Sequence, residues 1–552
     1  MIQPTIDEVE SILQASPAVS TLYLQGDGIS EVPPEHLEDN YAKAVMIDER
    51  MQHDTYIMKR VEGLLKKRID RAKIGALNVK AHWSIIAGDP VALCQHMGGQ
   101  EVTGILKAGE FYNQYWKNAG VEKIAAFRAP MTCHNSALVR NVCQSDEAEH
   151  WYRYMPTITI LNAWDTSCHA LCGCDFDSDI LLTTDNNVLV NRHKELPAIL
   201  CAQSNATKII PTEKDIVESN IRVFGSNVGA ITNRGTSRIT LIEKFPVGSK
   251  EREILEYRLS SCQLLQQECI DSVKNAVLQP ESRKWYVRSA ILKSDMSDAD
   301  KELYLSICSD KRPYFFRYIY PRINKEYNSY VLGTKKKSLR LFRKEIDELR
   351  AQDPETLTDD ERKFLEDYER YDPVLEYPCV MNRICWAVED RLDHFVTKHK
   401  DDYEFDYTIM KSGVEYTKTQ YSAISQLYSE YRDRLSEFVK FSKKNKVNQE
   451  EANIQKSVLK QEFMKLCFEK CSNEEMLCDI MLDMCYRTEK SKSFVWDMCG
   501  EQIIQNLLKK NDYMINVPVR DDNGGIRFKG RTYRVDRVPY IQEEEEIVDY
   551  AD

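Results

Sequence analysis

The sequence predicts an α+β protein in which a β-rich barrel or sandwich lies between mainly helical segments. From Asp48 to Ile74, apolar residues recur at helical spacing among many lysines and arginines. From Gly75 to about Arg192, short β-branched and apolar runs alternate with Gly, Pro and Asn, a pattern typical of strands and turns. From about Glu251 the spacing is helical again, and a capping box at Thr358–Glu361 opens a charged helix.

These changes divide the chain into five predicted segments. Gly and Asn residues between Val217 and Ser237 predict loops that approach a ligand closely, and Asn523–Gly525 predicts a hairpin turn. The segments are a helical N-terminal segment (1–74), a β-rich domain (75–215), loops and helices (216–330), a helical region (331–515), and a hairpin with an acidic tail (516–552).

Composition excludes several classes of protein. Acidic residues outnumber basic ones by 87 to 75, so any contact with nucleic acid needs a local basic groove. The N-terminus lacks the pattern of a signal peptide, and no apolar run approaches the length of a membrane span. The 17 cysteines are odd in number and scattered, which indicates reduced thiols. We therefore expect a cytoplasmic protein without a membrane partner.

Three aspartates at alternating positions, Asp175, Asp177 and Asp179, are the most informative feature of the sequence. Carboxylates so close repel one another unless a cation lies among them, and no Lys or Arg occurs between Tyr154 and Asn191. A metal ion is the simplest counter-charge. Mg²⁺, or Mn²⁺ in its place, takes oxygen ligands that substrate phosphates commonly complete, so the pattern favours phosphoryl or nucleotidyl transfer.

The flanking residues fit such a site. Thr157–Leu161 and Ile180–Thr184 predict strands on either side, which could direct the carboxylates to one point. A solvated acidic turn is the alternative. Nearby, Cys168, Cys172, Cys174 and His169 raise the possibility of zinc, but no second ligand pair follows, so we expect buried thiols.

The order of motifs carries a family resemblance. Phe127-Arg128-Ala129-Pro130, then an apolar strand, then Asp-Phe-Asp-Ser-Asp resembles the catalytic double-psi β-barrel of the multisubunit RNA polymerase β′ subunit. It is similar also to single-chain phage polymerases and to the two-barrel polymerases of RNA interference. The resemblance implies that residues 75–215 form this barrel, that residues 216–330 flank an active site, and that residues 331–515 act as a clamp.

The resemblance also implies roles for single residues. Asp175, Asp177 and Asp179 would coordinate the catalytic Mg²⁺, and Arg128 would reach the ribose of the incoming nucleotide or the RNA end. Lys274, in Ile270-Asp-Ser-Val-Lys274, matches a lysine that approaches the active centre in the phage and RNA-interference polymerases. Ser178 departs from the pattern because the family has Gly there, so the loop must avoid a glycine conformation or accept strain.

We therefore expect the catalytic, β′-like subunit of a DNA-directed RNA polymerase, using ribonucleoside triphosphates on a DNA, or else an RNA, template. Fewer than about 80 residues precede the predicted barrel, which implies that a second chain carries the β-like barrel of the family. Divergence and small size favour a phage origin and the host cytoplasm. The alternatives are a glycosyltransferase that uses an Asp-x-Asp metal site and a nucleotide sugar, and a non-catalytic nucleic-acid-binding scaffold that retains the barrel.

Overall fold

The computed structural model describes most of the chain as two compact units. One consists of residues Met1–Ile2 and Arg71–Glu389, and the other of Gln3–Asp70 and Asp390–Asp552. The described residues are 1–13, 39–171, 174–200, 210–224, 228–275, 280–396, 405–487, 491–528 and 531–540.

A closed six-stranded barrel forms the amino-terminal part of the first unit, and it confirms the predicted α+β class. Its strands lie in the order β1-β5-β2-β4-β3-β6, and β6 pairs with β1 to close the barrel. Two pairings are parallel, β1 with β5 and β2 with β4, and the others are antiparallel. The strands are β1 (His82–Gly88), β2 (Glu110–Asn113), β3 (Lys123–Phe127), β4 (Leu138–Val142), β5 (Ile158–Leu161) and β6 (Ile180–Thr184).

Apolar side chains fill the interior of the barrel and set the register of its strands. Ile86, Phe111, Ile124, Leu161 and Leu181 from five of the strands belong to one buried cluster. Side chains alternate along a strand, so burial of this cluster fixes the register of the strands. The register in turn fixes which residues begin the loops at the ends of the barrel. Short helices connect the strands, at Pro90–Met97, Gln114–Asn118, Asp146–Tyr152 and Ser167–Ala170.

The rest of the first unit is mainly helical. The predicted capping box is confirmed, because Thr358 Oγ1 accepts from the Glu361 amide at the start of Asp359–Tyr371. Strands β7 (Arg312–Pro313) and β8 (Val374–Leu375) form a parallel pair. The other helices are Asn187–Arg192, Glu213–Phe224, Val228–Ile242, Lys250–Asn275, Arg288–Leu292, Asp298–Ser306, Pro321–Phe342, Ile346–Ala351 and Val380–Val396.

The prediction of loops between Val217 and Ser237 is wrong. Most of that stretch lies in Glu213–Phe224 and Val228–Ile242, and residues 225–227 are outside the described part. Burial of Ile231, Gly235 and Leu241 against neighbouring elements outweighs the low helix propensity of Gly and Asn. Gly235 packs against Thr132, where even an added Cβ would lie at an ordinary contact distance of 3.5 Å from the threonine side chain.

The second unit is built around one large apolar core. The helix Glu474–Arg487 is buried over Leu477–Cys485 and lies at its centre. The preceding helix ends at Lys470, and the next begins at Glu474. The helices are Gln3–Leu13, Asn40–Ile47, Thr55–Lys73, Lys418–Asn445, Gln449–Lys470, Glu474–Arg487 and Lys492–Lys510. Within the described ranges, no helix is both long and apolar enough to cross a membrane.

A three-stranded antiparallel sheet ends the described chain. Its strands β9 (Met514–Arg520), β10 (Ile526–Phe528) and β11 (Arg531–Pro539) lie in the order β10-β11-β9. The predicted hairpin at Asn523–Gly525 is therefore wrong in one respect: a turn lies there, but the strands it joins both pair with β11 rather than with each other. Gly524 is required in this turn, since a Cβ would lie 2.3 Å from the Tyr533 carbonyl oxygen. The predicted acidic tail lies outside the described residues.

Candidate metal centre

The three predicted aspartates come together on the loop that leads into β6. We call residues 175–179 the aspartate loop. One oxygen from each of Asp175, Asp177 and Asp179 lies within 4.8 Å of the others. Asp175 and Asp177 are exposed, and Asp179 is half-buried. The loop thus presents three carboxylates to solvent at one end of the barrel.

Arg128 supplies the positive charge that the local sequence lacks. Its Nη2 donates to Asp179 Oδ1 at 2.7 Å, and its Nη1 donates to the Leu171 carbonyl at 3.3 Å. Register explains the contact, because β3 ends at Phe127 opposite Leu182 of β6, which places Arg128 beside the start of β6. The sequence predicts a metal ion as the simplest counter-charge, and the structure adds an arginine, far away in sequence, that offsets one of the three carboxylates.

The backbone holds the aspartate loop in a defined conformation. The Asp175 amide donates to Asp179 Oδ2 at 2.9 Å, and the Asp179 carbonyl accepts from the Ile86 amide of β1 at 2.8 Å. Ser178 has φ of 93°, a region that favours glycine. Ser178 therefore accepts backbone strain, which is one of the two outcomes expected for a serine at this position.

An aromatic contact that the sequence does not reveal also supports the loop. The Phe176 ring lies over Gly88, the last residue of β1, where an added Cβ would be 3.1 Å from the ring. The ring is nevertheless 58% exposed. Gly88 stands just before Asp89-Pro90, which in the sequence resembles an ordinary turn, so only the tertiary structure shows the contact with Phe176.

The donor set fits a hard divalent cation. Three carboxylates with exposed oxygens and room for water are the ligands that Mg²⁺ or Mn²⁺ prefers. Two other aspartates near the motif have structural partners instead. Asp165 accepts from the Gly109 amide at 2.8 Å, and Asp185 pairs with Lys80 at 3.0 Å. The candidate ligands among the described residues are therefore the three of the loop.

The chain was compared with protein families, curated proteins and solved structures. No established family model and no curated protein matches the chain. The chain is similar to the RNA-dependent RNA polymerase QDE-1 from Thielavia terrestris. The TM-score is 0.45 and the identity 12%, over 91% of this chain and 52% of that one, so the chain spans about half the length of that polymerase. Because the similarity is this low, the function proposed below depends on the site itself.

Of the cysteines beside the loop, the two that the structure describes, Cys168 and Cys174, contact each other. Cys168 Sγ and Cys174 Sγ are 3.3 Å apart, and each also contacts the other's carbonyl oxygen. The hydrogen bond between the thiols lowers the pKa of Cys168 and raises that of Cys174. Cys172 lies outside the described residues. The predicted buried thiol is confirmed for Cys174, while Cys168 is half-buried.

The segment that contains Lys274 is a helix, Lys250–Asn275, which contacts the loop after Arg128. Thr132 Oγ1 donates to Gln263 Oε1 of this helix at 2.7 Å, and both side chains are buried. The Lys274 side chain lies outside the described part of the structure, so its approach to the site stays a prediction.

Proposed function

We propose that the chain is a metal-dependent nucleotidyltransferase of the polymerase type, which adds ribonucleotides to an RNA 3′ end. The observation that carries the proposal is the cluster of three carboxylates at the end of a closed barrel, with Arg128 bonded to the third. Transfer of a nucleotidyl group needs no protein nucleophile, and a barrel that holds carboxylates at a fixed spacing meets the main requirement.

Each residue of the site then has a role. Asp175, Asp177 and Asp179 hold Mg²⁺ or Mn²⁺, which when bound lowers the pKa of the RNA 3′-hydroxyl and stabilises charge on the α-phosphate. Arg128 orients Asp179 through its Nη2, and we propose that it also contacts the ribose or the RNA end. The strand β1 fixes the loop through the Asp179 carbonyl, so the carboxylates keep their spacing as substrate binds.

We also propose the finer assignment, a β′-like subunit that copies DNA together with a second chain. Outside the barrel, the described strands form only the β7–β8 pair and the β9–β11 sheet. A polymerase of this kind needs cations to neutralise the substrate phosphates, and a partner barrel would supply them. The similar polymerase is named as RNA-dependent, so an RNA template is the alternative to DNA.

Two other functions fit the carboxylates less well. A glycosyltransferase would carry its metal-binding pair beside an open nucleotide-binding sheet, whereas these aspartates lie on the loop that leads into a strand of a closed barrel. A non-catalytic scaffold would retain the barrel without depending on any one carboxylate. The experiment below separates both from a polymerase.

The test is incorporation of labelled ribonucleotides on single-stranded DNA and RNA templates with Mg²⁺ or Mn²⁺. The protein is tagged and purified from its natural host, so that a partner chain is retained. Asp177→Asn removes one carboxylate of the loop, and Asp185→Asn is the matched control, because that aspartate pairs with Lys80 outside the cluster. We expect synthesis by the wild type and by Asp185→Asn, and its loss in Asp177→Asn.

The other outcomes are equally informative. Transfer of sugar from a nucleotide sugar, with no ribonucleotide incorporation, would assign the glycosyltransferase. An absence of synthesis despite a co-purifying second chain would contradict the polymerase proposal and favour the scaffold. The template that supports synthesis decides between DNA and RNA.

A further inference from the structure

A basic and apolar face lies along the helix Pro321–Phe342, at a place that the proposed catalytic site does not use. This 22-residue helix carries six basic side chains and one acidic one, Glu326, in a chain whose net charge is -12. At 1.5 Å per residue it is about 33 Å long. A concentration of positive charge on one long helix of an acidic protein requires an explanation.

The helix packs by one side only. Tyr327 Oη donates to Glu376 Oε1 at 2.7 Å, and Tyr330 Oη donates to the Tyr368 carbonyl at 2.8 Å. Ser338, on the same side, is fully buried and donates to the Lys344 carbonyl. These contacts anchor the helix and fix which residues face outward.

The opposite side is exposed throughout. Its residues recur every three or four positions: Arg322, Lys325, Ser329, Leu332, Lys336, Leu339 and Arg340. We call this set the basic face. Arg322 pairs with Glu326 at 2.8 Å, but Lys325, Lys336 and Arg340 form no ion pair with any residue that the structure describes. Their charges are therefore available to an anionic partner.

The apolar residues of the basic face narrow the choice of partner. Leu332 and Leu339 are 56% and 44% exposed, and they lie between the cations. A duplex presents mainly phosphate and sugar along its backbone, so exposed leucines would gain little there. An unpaired strand offers phosphates for the cations and open base faces for the leucines.

We propose that the basic face is a docking surface for single-stranded nucleic acid. Lys325, Lys336 and Arg340 contact phosphates, and Leu332 and Leu339 contact bases. The partner class follows from the proposed polymerase function, but binding can be measured without catalysis. A failure of this proposal is therefore distinguishable from a failure of the proposed activity.

The test is fluorescence anisotropy with labelled 20-nucleotide RNA and DNA single strands and a 20-base-pair duplex, over 50–200 mM salt. The variant replaces Lys325, Lys336 and Arg340 with Gln. The control replaces Arg283, Lys284 and Lys293, three exposed cations of the same unit, with Gln. We expect single-strand affinity to fall about tenfold at low salt, and the slope of log affinity against log salt to shrink by about 2. The control variant should keep both the affinity and the salt slope of the wild type.

Two further variants separate the contacts. Leu332→Ser with Leu339→Ser should weaken single-strand binding severalfold while leaving the salt slope unchanged, because no charge is lost. Asp185→Asn should bind like the wild type, since Asp185 lies outside both the basic face and the aspartate loop. Circular dichroism and thermal unfolding would verify that each variant is folded.

Three results would overturn the proposal. If the control variant lost as much single-strand affinity as the Gln variant, the binding would reflect general electrostatic attraction. Unchanged affinity in the Gln variant would show that the strand binds elsewhere. The same Gln variant is also tested for binding to phosphatidylserine vesicles. If it loses vesicle binding while its affinity for nucleic acid is unchanged, the basic face is assigned to a membrane surface.

Discussion

Replacing Arg128 with Gln should tighten metal binding while removing activity. Arg128 Nη2 is 2.7 Å from Asp179 Oδ1, and the two side chains are only 15% and 20% exposed. Glutamine retains a hydrogen-bond donor but carries no charge. The aspartate loop then loses the positive charge that offsets one of its three carboxylates, and its affinity for a cation should rise.

The spacing of the carboxylates sets the size of the effect. Taking 4.8 Å as the scale of the cluster, a dication and one unit charge interact by about 1.7 kcal/mol at the dielectric constant of water. That energy corresponds to an affinity change of roughly 10- to 20-fold. Partial burial of the pair reduces screening, so this figure is a lower bound.

Isothermal titration with Mn²⁺ at low ionic strength measures the effect directly. The comparison includes the wild type, Arg128→Gln, Arg128→Lys and Asp177→Asn. We expect Arg128→Gln to bind at least about tenfold more tightly, Arg128→Lys to resemble the wild type, and Asp177→Asn to bind more weakly. In the incorporation assay, Arg128→Gln should still lose activity, because the proposed contact with the ribose or RNA end is gone.

Two results would refute the reasoning. If Arg128→Gln is folded by circular dichroism and binds Mn²⁺ no more tightly than the wild type, Arg128 does not offset the carboxylates. If its affinity falls as far as that of Asp177→Asn, the arginine instead organises the loop for binding.

Three further variants test the loop and the first unit. Ser178→Gly should raise the thermal stability of the first unit by up to about 1 kcal/mol, since φ of 93° strains a serine; a loss typical of Gly substitution would contradict this. Gly88→Ala should displace the Phe176 ring and weaken Mn²⁺ binding severalfold, and adding Phe176→Ala should restore the affinity if the clash is the cause. Burial raises the pKa of Asp372 to about 7, although the hydrogen bond that the Val374 amide donates to its carboxylate opposes this shift. The folded unit therefore favours protonated Asp372, and its stability should decline by roughly 2–4 kcal/mol between pH 4 and 7. Thermal unfolding measured against pH should show no such decline in stability for Asp372→Asn. Parallel profiles for the wild type and Asp372→Asn would contradict the assignment of the decline to Asp372.

The strands nearest the site were predictable because their signals are local. Ile158–Leu161 and Ile180–Thr184 fall within one residue of their predicted bounds, since β-branched and apolar runs flanked by polar turns favour strands in most contexts. The loops predicted between Val217 and Ser237 failed for the opposite reason. Burial against neighbouring elements stabilises those helices, and a single sequence does not show which surfaces will be buried.

The sequence by itself determined the α+β class, the β-rich stretch between helical segments and the three neighbouring carboxylates, because residue type and spacing along the chain are enough to indicate each of them. Only the tertiary structure decided that Arg128 neutralises Asp179, that Phe176 lies over Gly88, and that Ser178 is held at positive φ. Those contacts join residues that are far apart in sequence or depend on loop geometry. Strand register in a closed barrel brings them together, and register depends on the packing of the whole core.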